Sequence, residues 1–311
     1  MRSEKTFIQL VNQCLEERST INKHSRECYR YSIMSFVRYL QNNAVDPLNP
    51  TRAEVNLYVN HLEQARLTAN TINQYIQPVK IFFEWLEAEG VYENLADRLK
   101  LKRKGYDSKK VFLDPIQVEH LLNTIDRNQV VGLRDYAIIN LMVRTGIRCC
   151  EVSRLDMQDL VPQTQGPNYN LYLRRKGSFS KDARILVDCD IVDPILFYRN
   201  HISDSIAPMF VIESYHHNAD RLEPYSVSRA VNSRMVRSGL KHPGMTPHSL
   251  RHTAASLAMK AGANAIEIQV LLGHKRLSTT EIYLNALRAT EEKSYSAVCR
   301  INESLSTAKK T

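Results

Sequence analysis

The 311-residue chain is short of the features that mark secreted, membrane-spanning or metal-dependent proteins. Its six cysteines, Cys14, Cys28, Cys149, Cys150, Cys189 and Cys299, are scattered and none forms a CxxC pair. A disulfide framework and a cysteine zinc site are therefore set aside in favour of reduced thiols. The longest useful apolar run, Tyr136 to Val143, falls far below the roughly 20 residues that cross a bilayer. The opening residues, with Arg2, Glu4 and Lys5, have no apolar core of a signal peptide, so a cytoplasmic protein without a membrane partner is expected. Internal repeats and low-complexity tracts are also missing.

What is present is ordinary for a globular protein: 43% hydrophobic and 24% charged residues. At roughly 100–200 residues per domain, the length predicts two domains. The formal charge of +9 and a pI near 9.2 favour a polyanionic partner, either nucleic acid or an anionic surface.

The sharpest change of composition is KLKRKGYDSKK at 100–110. Lys100, Lys102, Arg103, Lys104, Lys109 and Lys110 stand there against a single acid, Asp107. A solvated charge run is the ordinary reading of such a stretch. Its position between two halves makes a linker lying along phosphates the more informative one. The expected division is a helical domain at 1–99, a basic linker at 100–111 and a second domain at 112–311 that ends in a helix and tail.

Before the linker the apolar spacing is helical throughout. Leu10, Val11, Cys14 and Leu15 form one stripe, and Tyr29, Ile33, Phe36, Val37 and Leu40 a second. Thr51 with Glu54 reads as a capping box opening a third helix. A fourth is predicted over 69–89, kinked or divided at Pro78. A bundle of about four helices follows, with its aromatics in the core. After the linker, Asp114-Pro115 reads as an N-cap with proline at the first helical position. Helices are predicted at about 115–125 and 132–144. The alternating stretch from Tyr169 to Arg174, interrupted at Gly177 and resumed at Arg184–Val187, reads as a β-hairpin with a long basic tip. The remainder is helical again, broken near Pro208 and at 241–247.

Three clusters carry possible chemistry. In Thr145-Gly146-Ile147-Arg148, the glycine suits a helix end and the arginine the start of the next helix. There Arg148 either meets an anion or pairs with Glu151 three residues on. In Pro247-His248-Ser249-Leu250-Arg251-His252, His248 and Arg251 share a helix face. His248 and His252 also have the spacing of a metal pair. The glutamate of a zincin motif is absent from between them, so no metal is expected. Together an arginine and a histidine suit an oxyanion. The third cluster is Leu271-Leu272-Gly273-His274 with Tyr283 nine residues later. Alone, such a tyrosine is an ordinary half-buried helix residue. Set beside two arginines and two histidines, its hydroxyl can attack a phosphodiester, with cationic donors stabilising the crowded, charged transition state.

TGIRCCEV, HSLRH, LLGH and Tyr283 together resemble the tyrosine recombinases, the phage integrase and Xer-like family. The resemblance covers the region 112–290, and the helical bundle before it resembles the family's SAM-like core-binding domain. It implies a mainly α fold with a small β-hairpin, the catalytic domain being α+β. It also implies cleavage and rejoining of DNA strands through a 3′-phosphotyrosyl bond, without metal or ATP. Tyr283 resembles the nucleophile, Arg148 and Arg251 the clamp on the phosphate oxygens, and His248 the proton-handling histidine. His274 resembles the group that supports the phosphate. Glu151 and His252 are expected to orient these from behind. The family's hairpin lysine, the acid for the leaving 5′-oxygen, corresponds to Lys176 of Lys176-Gly177. The long tip leaves Lys181 as the alternative.

The implied partner is double-stranded DNA with inverted half-sites, gripped between the two domains. A homotetramer is expected at synapsis, with the segment after Tyr283 docking on a neighbouring protomer, and accessory DNA-bending factors are further candidate partners. In a prokaryotic cell the protein would join the nucleoid when bound, and integration, excision or resolution of a mobile element is the implied use. No additional arm-binding domain is expected before the bundle. A type IB topoisomerase-like enzyme and a DNA-binding regulator without catalysis are the competing readings.

Overall fold

In the computed structural model, the described residues are 2–18, 23–102, 111–175, 178, 180–202, 207–212 and 220–274. The chain divides into two compact units, Met1–Ser108 and Lys109–Thr311.

Among the described residues the first unit holds four helices: α1 (Arg2–Glu17), α2 (Lys23–Asn42), α3 (Arg52–Gln64) and α4 (Ala69–Ala88). The predicted stripes face one core, in which Val11, Leu15, Ile33, Phe36, Leu40, Val55 and Tyr58 are buried with Ile76, Phe82 and Phe83. The Phe36 ring meets Tyr58 and Phe83 edge-on, at 5.2 and 6.0 Å between centroids. Tyr31 departs from the core assignment: it is exposed, with the Arg38 guanidinium 5.6 Å from its ring centroid. Glu54 accepts from the Thr51 N–H, so the box that opens α3 forms as its sequence implies.

Pro78 neither divides nor ends α4, which runs unbroken through it. A proline has no N–H to give the carbonyl four residues earlier, here that of Gln74. The Ser32 hydroxyl of α2 lies 3.1 Å from this carbonyl and 3.0 Å from that of Cys28. A neighbouring helix thus replaces the missing donor, which the sequence of α4 alone does not disclose.

The second unit is built around α6 (Val130–Thr145), a helix buried on nearly all sides. Helix α5 (Pro115–Asn123) precedes it, its Asp114 cap accepting from the Gln117 N–H at 2.8 Å. The short α7 (Cys149–Val152) and a single 3₁₀ turn (Met157–Asp159) follow. Next comes an antiparallel sheet in the order β1 (Leu160–Pro162), β2 (Tyr169–Leu173), β3 (Ala183–Val187). The hairpin is as predicted, with Leu171 opposite Ile185. The edge strand β1 is an addition, too short to show a period of two. Leu171, Leu173, Ile185 and Val187 point to the core. Helices α8 (Cys189–Arg199), α9 (Pro224–Arg237), α10 (Pro247–Lys260) and α11 (Ala265–Leu272) follow among the described residues. Asp135 of α6 accepts from Arg134 at 2.9 Å and from Arg234 of α9 at 2.8 Å, a buried ionic staple between the two helices. Among the described residues no helix is long and apolar enough to cross a membrane.

Ser32→Ala should lower the stability of the first unit by about 0.5–1.5 kcal/mol, the net worth of a part-buried hydrogen bond. Trp85, the only tryptophan of the chain, sits in α4 and reports that unit's urea transition by fluorescence. An unchanged midpoint would show that Gln74 does not depend on Ser32.

Candidate active site

Helix α6 ends at Gly146, whose φ of 66° is left-handed and closes the last turn through its N–H to Met142 O at 2.8 Å. The site cannot accept a side chain. A Cβ there would stand 2.6 Å from Leu272 Cδ2 and 3.2 Å from Ala254 Cβ. The chain leaves this turn extended, buries Ile147 and delivers Arg148 to the start of α7. There Glu151 binds Arg148 twice: Oε2 accepts its N–H at 2.9 Å and Oε1 its Nη1 at 2.8 Å. The Glu151 side chain is wholly buried, and that of Arg148 is 25% exposed. Of the two sequence readings for Arg148, the structure contains the pairing with Glu151. Its backbone N–H is taken by the same carboxylate.

Arg251 lies on α10 and is only 1% exposed. Its Nη1 donates to Gly146 O at 2.7 Å, and its Nη2 donates to Leu272 O. Gly146 is the C-cap of α6 and Leu272 the last residue of α11. Both acceptors therefore belong to the carbonyls that helix ends leave unpaired, at the negative ends of the helix dipoles. One guanidinium ties three segments that the sequence holds 105 and 21 residues apart. His248 stands one turn before Arg251 and is exposed, with its ring edge-on to that of His252 at 4.8 Å. A cavity of about 380 Å³ is lined by Arg148, Cys149, Cys150, His248 and Arg251, among others.

His274 follows the left-handed Gly273, φ 62°. Its backbone is held from both sides by Gln269, whose carbonyl accepts the His274 N–H at 3.0 Å and whose amide donates to His274 O at 3.0 Å. The three motifs thus meet around Arg251, with Arg148, His248 and Arg251 on one cavity.

A family model described as the phage integrase family matches residues 111–289, and one for the phage integrase N-terminal SAM-like domain matches 7–93. The chain belongs to the phage integrase family of tyrosine recombinases. It is 30% identical over 284 residues to tyrosine recombinase XerC 2 of Ralstonia nicotianae, covering 86% of this chain and 79% of that one. It is 28% identical over 307 residues to tyrosine recombinase XerA of Pyrococcus furiosus, covering 96% of each. Among solved structures, the XerH recombinase bound to a palindromic difH substrate after cleavage has a TM-score of 0.70 at 19% identity, over 87% of this chain and 79% of that one. A lambda integrase dimer bound to a core site has a TM-score of 0.68 at 17% identity, over 90% and 94% of the two chains. These two likenesses show the fold.

Several of this recombinase-family chain's expected site residues fall outside the described ones: Tyr283, Lys176 and, in the basic stretch, Arg103, Lys104, Lys109 and Lys110. Lys100 is exposed. Lys102 is pinned to the first unit instead of lying in an open linker. Its ammonium pairs with Glu63, its N–H donates to Asn73 Oδ1 at 2.7 Å, and its carbonyl accepts from Asn73 Nδ2 at 2.9 Å.

Two residues take places that the sequence reading did not assign. Arg175, beside Lys176 in the chain, reaches Glu151 Oε2 with Nη1 at 3.4 Å and donates from Nη2 to Leu271 O at 2.8 Å. Burial lowers its affinity for a proton and the Arg148 charge adds to that, against the opposing pull of Glu151. A signal was available: Leu171 and Leu173 point inward, and the same alternation continues to Arg175. Lys181, the alternative hairpin lysine, is bound by Asp156 Oδ2 at 2.8 Å and by Asp159 at 2.8 and 2.6 Å. Burial pulls its proton affinity down, but the hydrogen bonds and charges of the two aspartates outweigh this and raise it. Burial likewise pushes Asp156 up, and Lys181 and Arg221 overcome it, so the carboxyl is held below its usual range. Burial, then the neighbouring Cys150, pushes the Cys149 thiol up to about 11, so it is not a thiolate nucleophile at neutral pH.

The Lys181 cluster generates a stability prediction. Lys181→Met should destabilise the second unit by about 1.5–3 kcal/mol, as loss of hydrogen bonds between charged groups does. Because the Asp156 carboxyl is depressed on folding, its contribution is complete above the ordinary aspartate value of about 3.9 and is lost as pH falls through the lower folded value. Thermal melts over pH 2–6 should therefore show a shallower acid limb in Lys181→Met than in the parent protein. Superimposable acid limbs would show that the cluster contributes nothing to folding.

Proposed function

We infer that this protein is a site-specific DNA recombinase that cuts and rejoins strands through a covalent tyrosine intermediate. Family membership supports the activity. The observation that carries it to named residues is the buried Arg251, which is bonded to the Gly146 turn and to Leu272 at the end of α11 and shares one cavity with Arg148 and His248.

In this reading the Tyr283 hydroxyl oxygen attacks the phosphorus of a DNA phosphodiester. A phosphotyrosyl bond forms to the 3′ side and the 5′-oxygen leaves. The tyrosine's proton passes to His248, and Lys176 supplies one to the departing oxygen. The 5′-hydroxyl of a second strand then attacks the phosphotyrosyl phosphorus, restoring a phosphodiester and freeing Tyr283. One phosphoester is exchanged for another at each step, so neither a metal nor ATP is required. Arg148 and Arg251 stabilise the charge on the non-bridging oxygens. Glu151 orients Arg148, His252 packs against His248, and His274 supports the phosphate. Lys176 fits the acid role better than Lys181, whose two aspartates strengthen its hold on its proton.

The substrate in this reading is a duplex with inverted half-sites, and the working assembly is a homotetramer in which the segment after Tyr283 docks on a neighbour. A solved lambda integrase tetramer on a Holliday junction has a TM-score of 0.68 to this chain at 16% identity, over 89% of this chain and 76% of that one. Lys100, Lys102, Arg103, Lys104, Lys109 and Lys110 would add sequence-independent phosphate contacts. Movement of a mobile element within the cytoplasm, with bending proteins as helpers, is the corresponding use.

A suicide DNA substrate should trap a covalent protein–DNA adduct that survives denaturation and disappears in Tyr283→Phe. An adduct persisting in that variant would assign the nucleophile elsewhere. Arg148→Ala should keep half-site affinity while cleavage falls by about 10²–10³ or more. Arg251→Ala should lose cleavage as well, and should lower the melting temperature more than Arg148→Ala does, because only Arg251 also caps two helix ends. Equal melting temperatures would separate Arg251 from the bracing role.

A further inference from the structure

Arg175 stands where three segments of the candidate site touch, and neither its chemistry nor its neighbours are those of a surface arginine. Its side chain is 13% exposed and that of Glu151 is wholly buried. Glu151 is thereby divided between two guanidiniums. Oε1 holds Arg148 Nη1, while Oε2 accepts the Arg148 N–H and faces Arg175 Nη1 at 3.4 Å. On its other side Arg175 caps α11, its Nη2 donating to Leu271 O at 2.8 Å. The next carbonyl of that helix, Leu272 O, belongs to Arg251. Gly273 completes the contact. A Cβ built there would lie 2.6 Å from Arg175 Nε, 2.9 Å from Cζ and 3.1 Å from Cδ. The Arg175 side chain therefore occupies the space a side chain at Gly273 would need, immediately before His274.

We propose that Arg175 is a positioning residue of the strand-cleavage site: it locks Glu151, and through it Arg148, to the end of α11 that carries His274 and to the root of the hairpin that carries Lys176. This rests on the reading that Arg148, Lys176, His274 and Tyr283 act on the DNA phosphate. The physical requirement is two simultaneous bonds from one rigid planar fork, one to a carboxylate and one to a carbonyl. A lysine, with a single point charge on a flexible stem, cannot supply both in fixed geometry. Gly273 is the matching half of the device, since any side chain there displaces the fork. Misplacing a reacting group by about 1 Å can cost about 10²-fold in rate while leaving binding intact.

Single-turnover cleavage of a suicide substrate at saturating DNA, half-site affinity and melting temperature decide it. They are measured on the full chain for Arg175→Ala, Arg175→Lys, Gly273→Ala and the double variant Arg175→Ala/Gly273→Ala. Gly239→Ala is the control, since Gly239 has a positive φ of 71° with nothing within 4 Å of an added Cβ, so it carries the backbone cost without a collision. Arg175→Ala, Arg175→Lys and Gly273→Ala should each lower the cleavage rate by about 10- to 100-fold with affinity for DNA unchanged. The control should cleave at the parent rate. The double variant should be no slower than Arg175→Ala, because the added methyl then has no guanidinium to displace.

Parent-like cleavage by folded Arg175→Ala, or a loss in proportion to its unfolded fraction, overturns the proposal. If Arg175→Ala does not fold, the same rate measurement on Arg175→Lys and Gly273→Ala decides, and parent rates in both overturn it. A parent protein that forms no adduct at Tyr283 would instead overturn the underlying function, an outcome distinct from these.

Discussion

The catalytic unit depends on one buried cation. Arg251 is almost without solvent exposure, and a charge so placed is costly unless its donors are satisfied. Two of them are taken by the C-terminal carbonyls of α6 and α11, groups that need donors for their own reason. Two deficits cancel. The negative ends of two helix dipoles offset the desolvation of the guanidinium, and the guanidinium closes both helix ends. Because the two acceptors lie on different helices, the cancellation also sets the distance between the Gly146 turn and the stretch leading to His274.

The same economy of charge recurs. Glu151 serves Arg148 and Arg175, Asp135 serves Arg134 and Arg234, and Lys181 serves Asp156 and Asp159. In the first two groups one buried carboxylate faces two guanidiniums, leaving a local excess of positive charge. At Asp135 that excess only joins α6 to α9. At Glu151 it borders the cavity shared by Arg148, His248 and Arg251, where a phosphate would neutralise it. In the Lys181 group the sign is reversed. Two carboxylates absorb a lysine in a hairpin tip that sequence alone treats as basic.

The legible parts of the chain are the local ones. Asp114-Pro115, Thr51 with Glu54, the Gly146 helix end and the facing strands 169–173 and 183–187 all follow from signals within a few residues. The misjudged parts involve partners far along the chain. Pro78 reads as a break until the Ser32 hydroxyl of another helix is brought to Gln74. Lys102 reads as open linker until Asn73 and Glu63 hold it. Arg175 reads as one more basic residue of a hairpin tip, although the strand alternation already pointed it inward.

The elements, their periodicity and the residue types suited to phosphate chemistry are read from the chain alone, because helix caps, turns and amphipathic spacing are properties of neighbouring residues. Which charges the fold itself consumes became visible with the packed chain. Arg251 shares its donors with two helix ends, Lys181 is committed to two aspartates, and Glu151 is divided between Arg148 and Arg175. These assignments depend on Coulombic and hydrogen-bond contacts that fall off within a few ångströms, between residues that come so close only after the chain has packed.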